Sequence, residues 1–150
     1  MKEKLLVSAC LLGENCKYSG GNNYTPAVEA LREKFDVIPV CPEQLGGLPT
    51  PRTPSERAGA RVLARGGADV TEAFRRGAAK TLEIARAGGA VRAVFQARSP
   101  SCGSERVYDG TFSGTLVPGR GVTVELLEKN GIRVYSVDRI EALLDGTGGK

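Results

Sequence analysis

Three of the four cysteines follow short apolar runs, and this shared placement suggests chemistry. They are Cys10 after residues 5–9, Cys41 after residues 37–40, and Cys102 in the loop after residues 91–95. Each run predicts a buried strand. A thiol in a loop behind a strand, flanked by Pro and Gly as Cys102 is, is more typical of a ligand or nucleophile than of an inert core residue.

The available metal ligands are thiolates and oxygens, because the sequence contains no histidine. This excludes Ser–His and Cys–His catalysis and every site that uses imidazole. Soft thiolates favour an iron–sulfur cluster or zinc. Structural zinc usually takes four protein ligands, often in paired Cys-x-x-Cys motifs, which this sequence lacks. A cubane cluster held by three cysteines leaves one iron open as a Lewis acid. The alternative is that the thiols are buried as small hydrophobic groups.

Three further residues near these cysteines are candidates for the site. Cys16 lies six residues beyond Cys10, so we expect it nearby but outside the ligand set. Glu43 follows Cys41 by two residues, and Ser101 directly precedes Cys102, so each could reach a bound ligand. The alternatives are a spare buried thiol, a solvated loop carboxylate and a turn-forming serine.

Composition limits the classes of function. With 150 residues, the chain predicts a single domain over residues 1–150, with 146–150 as a frayed tail. Aromatic residues make up only 5%, which argues against stacking platforms for single-stranded nucleic acid. The net charge of +4 permits an anionic ligand or RNA without indicating either. The first apolar run is too short for a signal peptide, so we expect a cytoplasmic protein with reduced thiols and no membrane contact.

The pattern of elements predicts an α/β fold. Strands at residues 5–9, 37–40, 91–95 and 132–135 alternate with helices at about 26–35, 71–88, 118–129 and 140–144. Such alternation indicates a mostly parallel, Rossmann-like sheet flanked by helices, with the site at the C-terminal ends of its strands. Pro39 predicts an edge strand or a bulge. The four prolines of residues 41–54 argue against regular structure there and favour a shaped binding loop.

Three blocks of sequence resemble the bacterial thiouracil desulfurase (desulfidase) family. They are residues 7–13 (Val-Ser-Ala-Cys-Leu-Leu-Gly) with 18–21, residues 40–43 (Val-Cys-Pro-Glu) with 46–52, and residues 97–103 (Ala-Arg-Ser-Pro-Ser-Cys-Gly). The resemblance runs from about residue 5 to residue 144.

The resemblance implies a [4Fe–4S] cluster held by Cys10, Cys41 and Cys102. It also implies removal of sulfur from a thiolated uracil or thiouridine without net redox change. In that scheme the open iron takes the thiocarbonyl sulfur, water attacks the ring carbon, and Glu43 with Ser101 handles the proton transfer. The implied partner is a small thiolated pyrimidine base or nucleotide. A tRNA substrate is compatible with the resemblance but is not indicated by it.

Two other functions are compatible with the residues. The first is a non-catalytic iron–sulfur or thiolate–metal module that senses iron or redox state, which would not need Glu43 and Ser101 beside an open iron. The second is a small-molecule binding domain without a cluster. The sequence does not predict the oligomeric state.

Overall fold

A four-stranded parallel sheet forms the centre of the molecule, as seen in a computed structural model that describes residues 2–145. The strands lie in the order β2 (Phe35–Val40), β1 (Glu3–Ser8), β5 (Arg92–Phe95) and β8 (Arg133–Ser136). In β1, Leu5, Leu6 and Val7 are fully buried. A continuous apolar run of this kind is typical of a parallel strand whose two faces are both covered.

Helices cover both faces of the sheet. Helices α1 (Val28–Lys34) and α5 (Ile140–Leu144) pack on the face that carries Leu5 and Val7, while α3 (Thr71–Gly88) and α4 (Val122–Lys129) pack on the face that carries Leu6. In α3, the buried residues recur at helical spacing: Phe74, Ala78, Leu82 and Ala85. The predicted α/β fold with a parallel sheet is therefore confirmed. No helix among residues 2–145 is long and apolar enough to cross a membrane.

The helix that connects the first two strands of the chain ends one residue earlier than predicted. Helix α1 begins at Val28, and Phe35 is not its last buried residue but the first residue of β2. The extended backbone of Phe35 lets it pair with Glu3, and its side chain is still buried. Strand pairing thus overrides the helical spacing at this residue. Strand β2 lies at the edge of the sheet, where Pro39 was expected.

The proline-rich loop contains a short helix that the prediction excluded. This helix, α2 (Pro42–Leu45), begins with Pro42. Proline is tolerated at the first position of a helix because the backbone N–H that it lacks would have no partner within the helix. The helix predicted at about 118–129 was also wrong at its start, because Pro118 lies in a strand and α4 begins only at Val122. The expected frayed tail at 146–150 lies outside the described residues.

Two small antiparallel hairpins stand apart from the sheet. The first pairs β3 (Ser55–Ala58) with β4 (Arg61–Ala64). The second pairs β6 (Arg106–Tyr108) with β7 (Leu116–Pro118). Both strands of each hairpin are only three or four residues long, and this makes them hard to recognise from periodicity.

Helix α2 is seated on α3 through direct contact between two backbones. A Cβ atom on Gly77 would collide with the carbonyl oxygen of Pro42, and one on Gly46 would collide with the carbonyl oxygen of Ala73. Arg76 also donates two hydrogen bonds, of 3.1 and 2.8 Å, to the carbonyl oxygen of Gly46. The segment that carries Cys41 and Glu43 is therefore fixed to the longest helix of the fold.

We expect Gly77→Ala to destabilise the protein, because the added methyl group would meet the backbone of Pro42, which cannot rotate away as a side chain can. Overpacking costs about 1–3 kcal/mol and should outweigh the ~1 kcal/mol by which alanine favours a helix over glycine. Thermal and denaturant unfolding followed by circular dichroism would measure this loss.

Gly88→Ala is the matched control on the same helix. Its Cβ atom would meet only the tip of the Ile38 side chain, at 2.7 Å, and that tip can move. The free energy of unfolding should fall less in this variant than in Gly77→Ala. Equal stability of Gly77→Ala and the wild type would contradict the close seating of α2.

Candidate active site

The four cysteines line one cavity of about 440 Å³ at the C-terminal edge of the sheet. Cys10 and Cys102 are buried, Cys41 is partly buried, and all four thiols are free. Glu43 lines the same cavity. The volume lies within the range of about 300–1,000 Å³ typical of small-molecule sites. The structure thus brings together the three predicted ligands and the predicted carboxylate.

Cys10 lies in a short 3₁₀ turn, Ala9–Leu12, that continues directly from β1. Gly13 ends the turn with a φ of 101°, a conformation that favours glycine. Asn23 closes the following loop back onto the turn. Its backbone N–H donates to the carbonyl oxygen of Cys10 at 2.9 Å, and its side-chain amide donates to the Cys10 Sγ at 3.4 Å.

Cys16 lies between Cys10 and Cys41, and sequence reasoning did not foresee this contact. Hydrogen bonds with the Cys16 thiol lower the pKa of Cys10 and of Cys41 to about 7. The same hydrogen bonds raise the pKa of Cys16 far above its usual range. Cys16 therefore keeps its proton and favours the thiolate forms of its two neighbours, the forms that bind metals.

Cys102 is held by a turn built on Ser99. The hydroxyl of Ser99 accepts hydrogen bonds of 3.0 Å from the backbone N–H groups of Ser101 and Cys102. Burial raises the pKa of the Cys102 thiol well above its usual range, while a hydrogen bond with Ser8 works in the opposite direction. A thiol in such surroundings becomes a thiolate only when a metal displaces its proton.

Ser101 occupies a different place from the other predicted residues. It is buried, it is not among the described residues that line the cavity, and its hydroxyl hydrogen-bonds to the Thr123 hydroxyl at 2.7 Å. Its carbonyl oxygen accepts N–H bonds from Thr123 and Val124 in the first turn of α4. The observed contacts of Ser101 thus join the Cys102 loop to a helix.

A largely buried ion pair connects Glu43 with Arg52. Nε of Arg52 lies 3.0 Å from Oε1 of Glu43, and the two side chains are only 6% and 19% exposed. The same guanidinium donates to the carbonyl oxygens of Cys16 and Pro49 and to the hydroxyl of Thr50. Arg52 thus joins the Cys16 loop to the Cys41 loop and fixes the carboxylate.

Arg52 was not identified as a site residue from the sequence. Its place in the proline-rich segment gives no local sign of these contacts. The nearest signal is the stiff Pro-Thr-Pro sequence at residues 49–51 directly before it.

Part of the cavity lining comes from the two hairpins. The residues there are Glu56 and Arg65 of the first hairpin region and Tyr108, Phe112 and Gly114 of the second. None was predicted as a site residue. The hairpins are not part of the four-stranded sheet. A search for residues at the C-terminal ends of the sheet strands therefore could not identify them.

The donor set fits a cluster better than a single ion. Among residues 2–145, no three His, Cys, Asp or Glu side chains are arranged to hold one metal ion. A cubane of several irons is larger, and each of three thiolates would bind a different iron. Three sulfur donors around a cavity, two of them readily ionised, suit iron–sulfur chemistry.

Comparisons with known proteins agree with this site. The chain is 39% identical to an uncharacterized protein, YbbK, of Bacillus subtilis (strain 168), over 93% of this chain and 99% of YbbK. A solved structure of a [4Fe–4S]-dependent thiouracil desulfidase, TudS, superposes with a TM-score of 0.92 at 42% identity. That alignment covers 99% of this chain and all of TudS, and it confirms the fold.

The family model for 2-thiouracil desulfurase matches residues 5–139. This match includes the three cysteines, Glu43 and Ser101, and it confirms the resemblance carried by the three sequence blocks. On its sequence, its fold and the cavity at its sheet edge, the chain belongs to the 2-thiouracil desulfurase family.

Proposed function

We propose that this chain removes sulfur from a thiolated uracil or thiouridine with a [4Fe–4S] cluster bound through Cys10, Cys41 and Cys102. The observation that supports this best is the convergence of three thiols and the Glu43 carboxylate on one cavity. The related TudS, which shares 42% of its residues with this chain, is named as a [4Fe–4S]-dependent thiouracil desulfidase. The expected substrate is a small thiolated pyrimidine, and the expected compartment is the reducing cytoplasm.

When bound, a cluster with three thiolate ligands supplies one iron without a protein ligand, a Lewis acid suited to a soft sulfur. The net reaction replaces a thiocarbonyl with a carbonyl, consumes one water and releases hydrogen sulfide. No electrons are gained or lost. The protein must therefore orient the ring, bring water to one carbon, and move protons from oxygen to sulfur.

Glu43 is the group proposed to move the protons. The ion pair with Arg52 holds one carboxylate oxygen at a fixed position in the wall of the cavity. A positioned carboxylate can take a proton from attacking water and return it to the departing sulfur. A module that only sensed iron or redox state would not need this group, so its presence favours the enzyme.

Ser101 is proposed to assist the reaction indirectly, because it is not among the described residues that line the cavity. Its hydrogen bonds to Thr123 and Val124 anchor the Cys102 loop on the N-terminus of α4. A change at Ser101 would act on the orientation of the ligand loop and the water next to it. We therefore assign Ser101 a smaller part in turnover than Glu43.

The ligand assignment predicts different results for the four cysteines. Cys10→Ser, Cys41→Ser and Cys102→Ser should each lose most of the bound iron, because each removes one thiolate. Cys16→Ser should retain the cluster, since a hydroxyl can still donate to its two neighbours. Iron and sulfide analysis with the visible absorption spectrum of anaerobically reconstituted protein would measure this. Equal loss in all four variants would indicate four protein ligands and no open iron.

Removing the cluster should leave the fold intact. The two core clusters pack on the faces of the sheet and do not require a metal, unlike the core of a zinc finger. After exposure to air and chelation, the far-UV circular dichroism spectrum should match that of the loaded protein. Loss of that spectrum would show that the cluster is a structural element of the protein.

Glu43→Gln should retain the cluster and bind thiouracil but lose turnover. The amide keeps the shape of the carboxylate and cannot accept the proton, and positioned acid–base groups contribute roughly 10²–10⁴-fold in rate. Sulfide release under anaerobic conditions, normalised to the iron content of the same samples, would measure the loss. Ser101→Ala is the comparison and should lose less. Near wild-type turnover in Glu43→Gln would assign the proton transfer to another group, with Glu14 as the nearest carboxylate in sequence to Cys10.

A further inference from the structure

The loop between β6 and β7 places an aromatic residue in the lining of the cavity, in an unusual backbone conformation. Phe112 lines the cavity and has a φ of 57°. Bulky residues rarely adopt this left-handed conformation, and when they do the surroundings must hold them there. Phe112 belongs to neither of the two core clusters. Packing of the core therefore does not explain why a strained aromatic residue stands at this point.

A buried carboxylate fixes this loop. Glu56 is only 8% exposed, and one of its oxygens accepts hydrogen bonds of 3.0 Å from the backbone N–H groups of both Gly110 and Phe112. Gly110 also approaches β3 closely, since a Cβ there would lie 3.0 Å from the Cβ of Ala58. The backbone that carries Phe112 is thus held against the first hairpin at two points.

The ring itself is also fixed. The guanidinium carbon of Arg65 lies 5.4 Å from the centre of the Phe112 ring, within the range of a cation–π contact. Tyr108 lies in the same wall of the cavity. This part of the cavity lining is therefore rigid and aromatic, and a rigid flat surface is suited to bind a flat ring.

We propose that Phe112 is the surface on which the pyrimidine ring of the substrate stacks, and that Glu56 is the residue that positions it. This rests on the proposed function for the identity of the substrate. Stacking on an aromatic side chain depends on a planar π system and tolerates changes of ring substituents. The subsite therefore selects planar aromatic thiones over thioamides of similar size with a saturated ring.

Phe112→Gly isolates the contribution of the ring. Glycine adopts a φ of 57° freely, so this variant removes the ring and relieves the backbone at once. In the anaerobic, cluster-loaded protein, the KM for 2-thiouracil and the Kd for uracil should each rise about tenfold, the scale of one base-stacking contact. The change in kcat should be smaller, and the Tm should stay the same or rise.

Three further measurements make the test specific. Phe112→Tyr keeps the π surface and should restore affinity, whereas Phe112→Leu keeps apolar bulk alone and should bind as weakly as Phe112→Gly. With 5,6-dihydro-2-thiouracil, whose ring is saturated, KM should hardly differ between wild type and Phe112→Gly. Tyr24→Leu changes an exposed aromatic residue outside the lining of the cavity and should leave KM unaltered. Unchanged KM and Kd in Phe112→Gly, or a lower Tm with unchanged affinity, would overturn the proposal.

The positioning role of Glu56 has its own test. Glu56→Ala removes the acceptor for two N–H groups and should raise KM as Phe112→Gly does. Glu56→Gln keeps an acceptor oxygen and should restore affinity. Combining Glu56→Ala with Phe112→Gly should add little, because residues that act through one another are not additive. Full additivity would show that Glu56 acts independently of the ring.

The uracil measurement separates the two proposals. If the wild type releases no sulfide, the proposed function fails, yet a tenfold loss of uracil binding in Phe112→Gly would still support stacking. If the wild type turns over thiouracil and Phe112→Gly has unaltered KM and Kd, the stacking proposal alone fails.

Discussion

Parallel pairing of β1 with β2 and β5 is the constraint on which the site depends. Ser8 lies opposite Val40 in the register of the sheet. Cys10 and Cys41 follow this pair by two residues and one residue, so both lie near the same end of their strands. On the other side of β1, Val7 lies opposite Val94, which brings the Cys102 loop to the same edge. Parallel strands need long crossovers, and here helices supply them while covering both faces. Residues far apart in the sequence thus meet because their strands point in one direction.

A second constraint acts within the loops at this edge. Arg52 is nearly inaccessible, and its guanidinium is satisfied by Glu43 and by groups from the Cys16 loop and its own segment. A buried ion pair contributes little net stability, because desolvation of both charges offsets their attraction. Loss of one partner is costly, since it leaves the other charge buried and unpaired. The pair is therefore better explained by the fixed geometry it imposes on the carboxylate than by a contribution to folding.

The parts of this structure that the sequence predicted are those set by local pattern. The apolar runs located all four strands of the sheet, and the order of strands and helices was enough to place Cys10, Cys41 and Cys102 at one edge. Phe35 shows the limit of this reasoning. Its spacing fits the helix, but pairing with Glu3 places it in β2. Periodicity reports which side chains are buried more reliably than which element carries them.

The missed features depend on contacts between distant parts of the chain. Glu56 and Phe112 lie 56 residues apart, and only the folded hairpins bring the carboxylate to the N–H group. Arg52 reaches the carbonyl of Cys16 across 36 residues. Cys16 itself was expected nearby, but its hydrogen bonds to two thiols follow from the path of the loop that Asn23 closes. Polar contacts of this kind leave no periodic trace in a sequence.

The cavity is consequently assembled from two parts of the fold that differ in their constraints. The thiols extend from buried strands of the sheet, where a change of register or packing would displace all three together. Another part of the lining extends from two short hairpins outside the sheet, which Glu56 holds to each other. Arg57 joins the first hairpin to Glu125 of α4 and to the carbonyl oxygen of Arg120 just before that helix. Residues on such loops can change without disturbing the core. Under the proposed function, the geometry of the cluster-binding thiols is set by the sheet and the choice of substrate by the hairpins, so the two could vary independently in this fold.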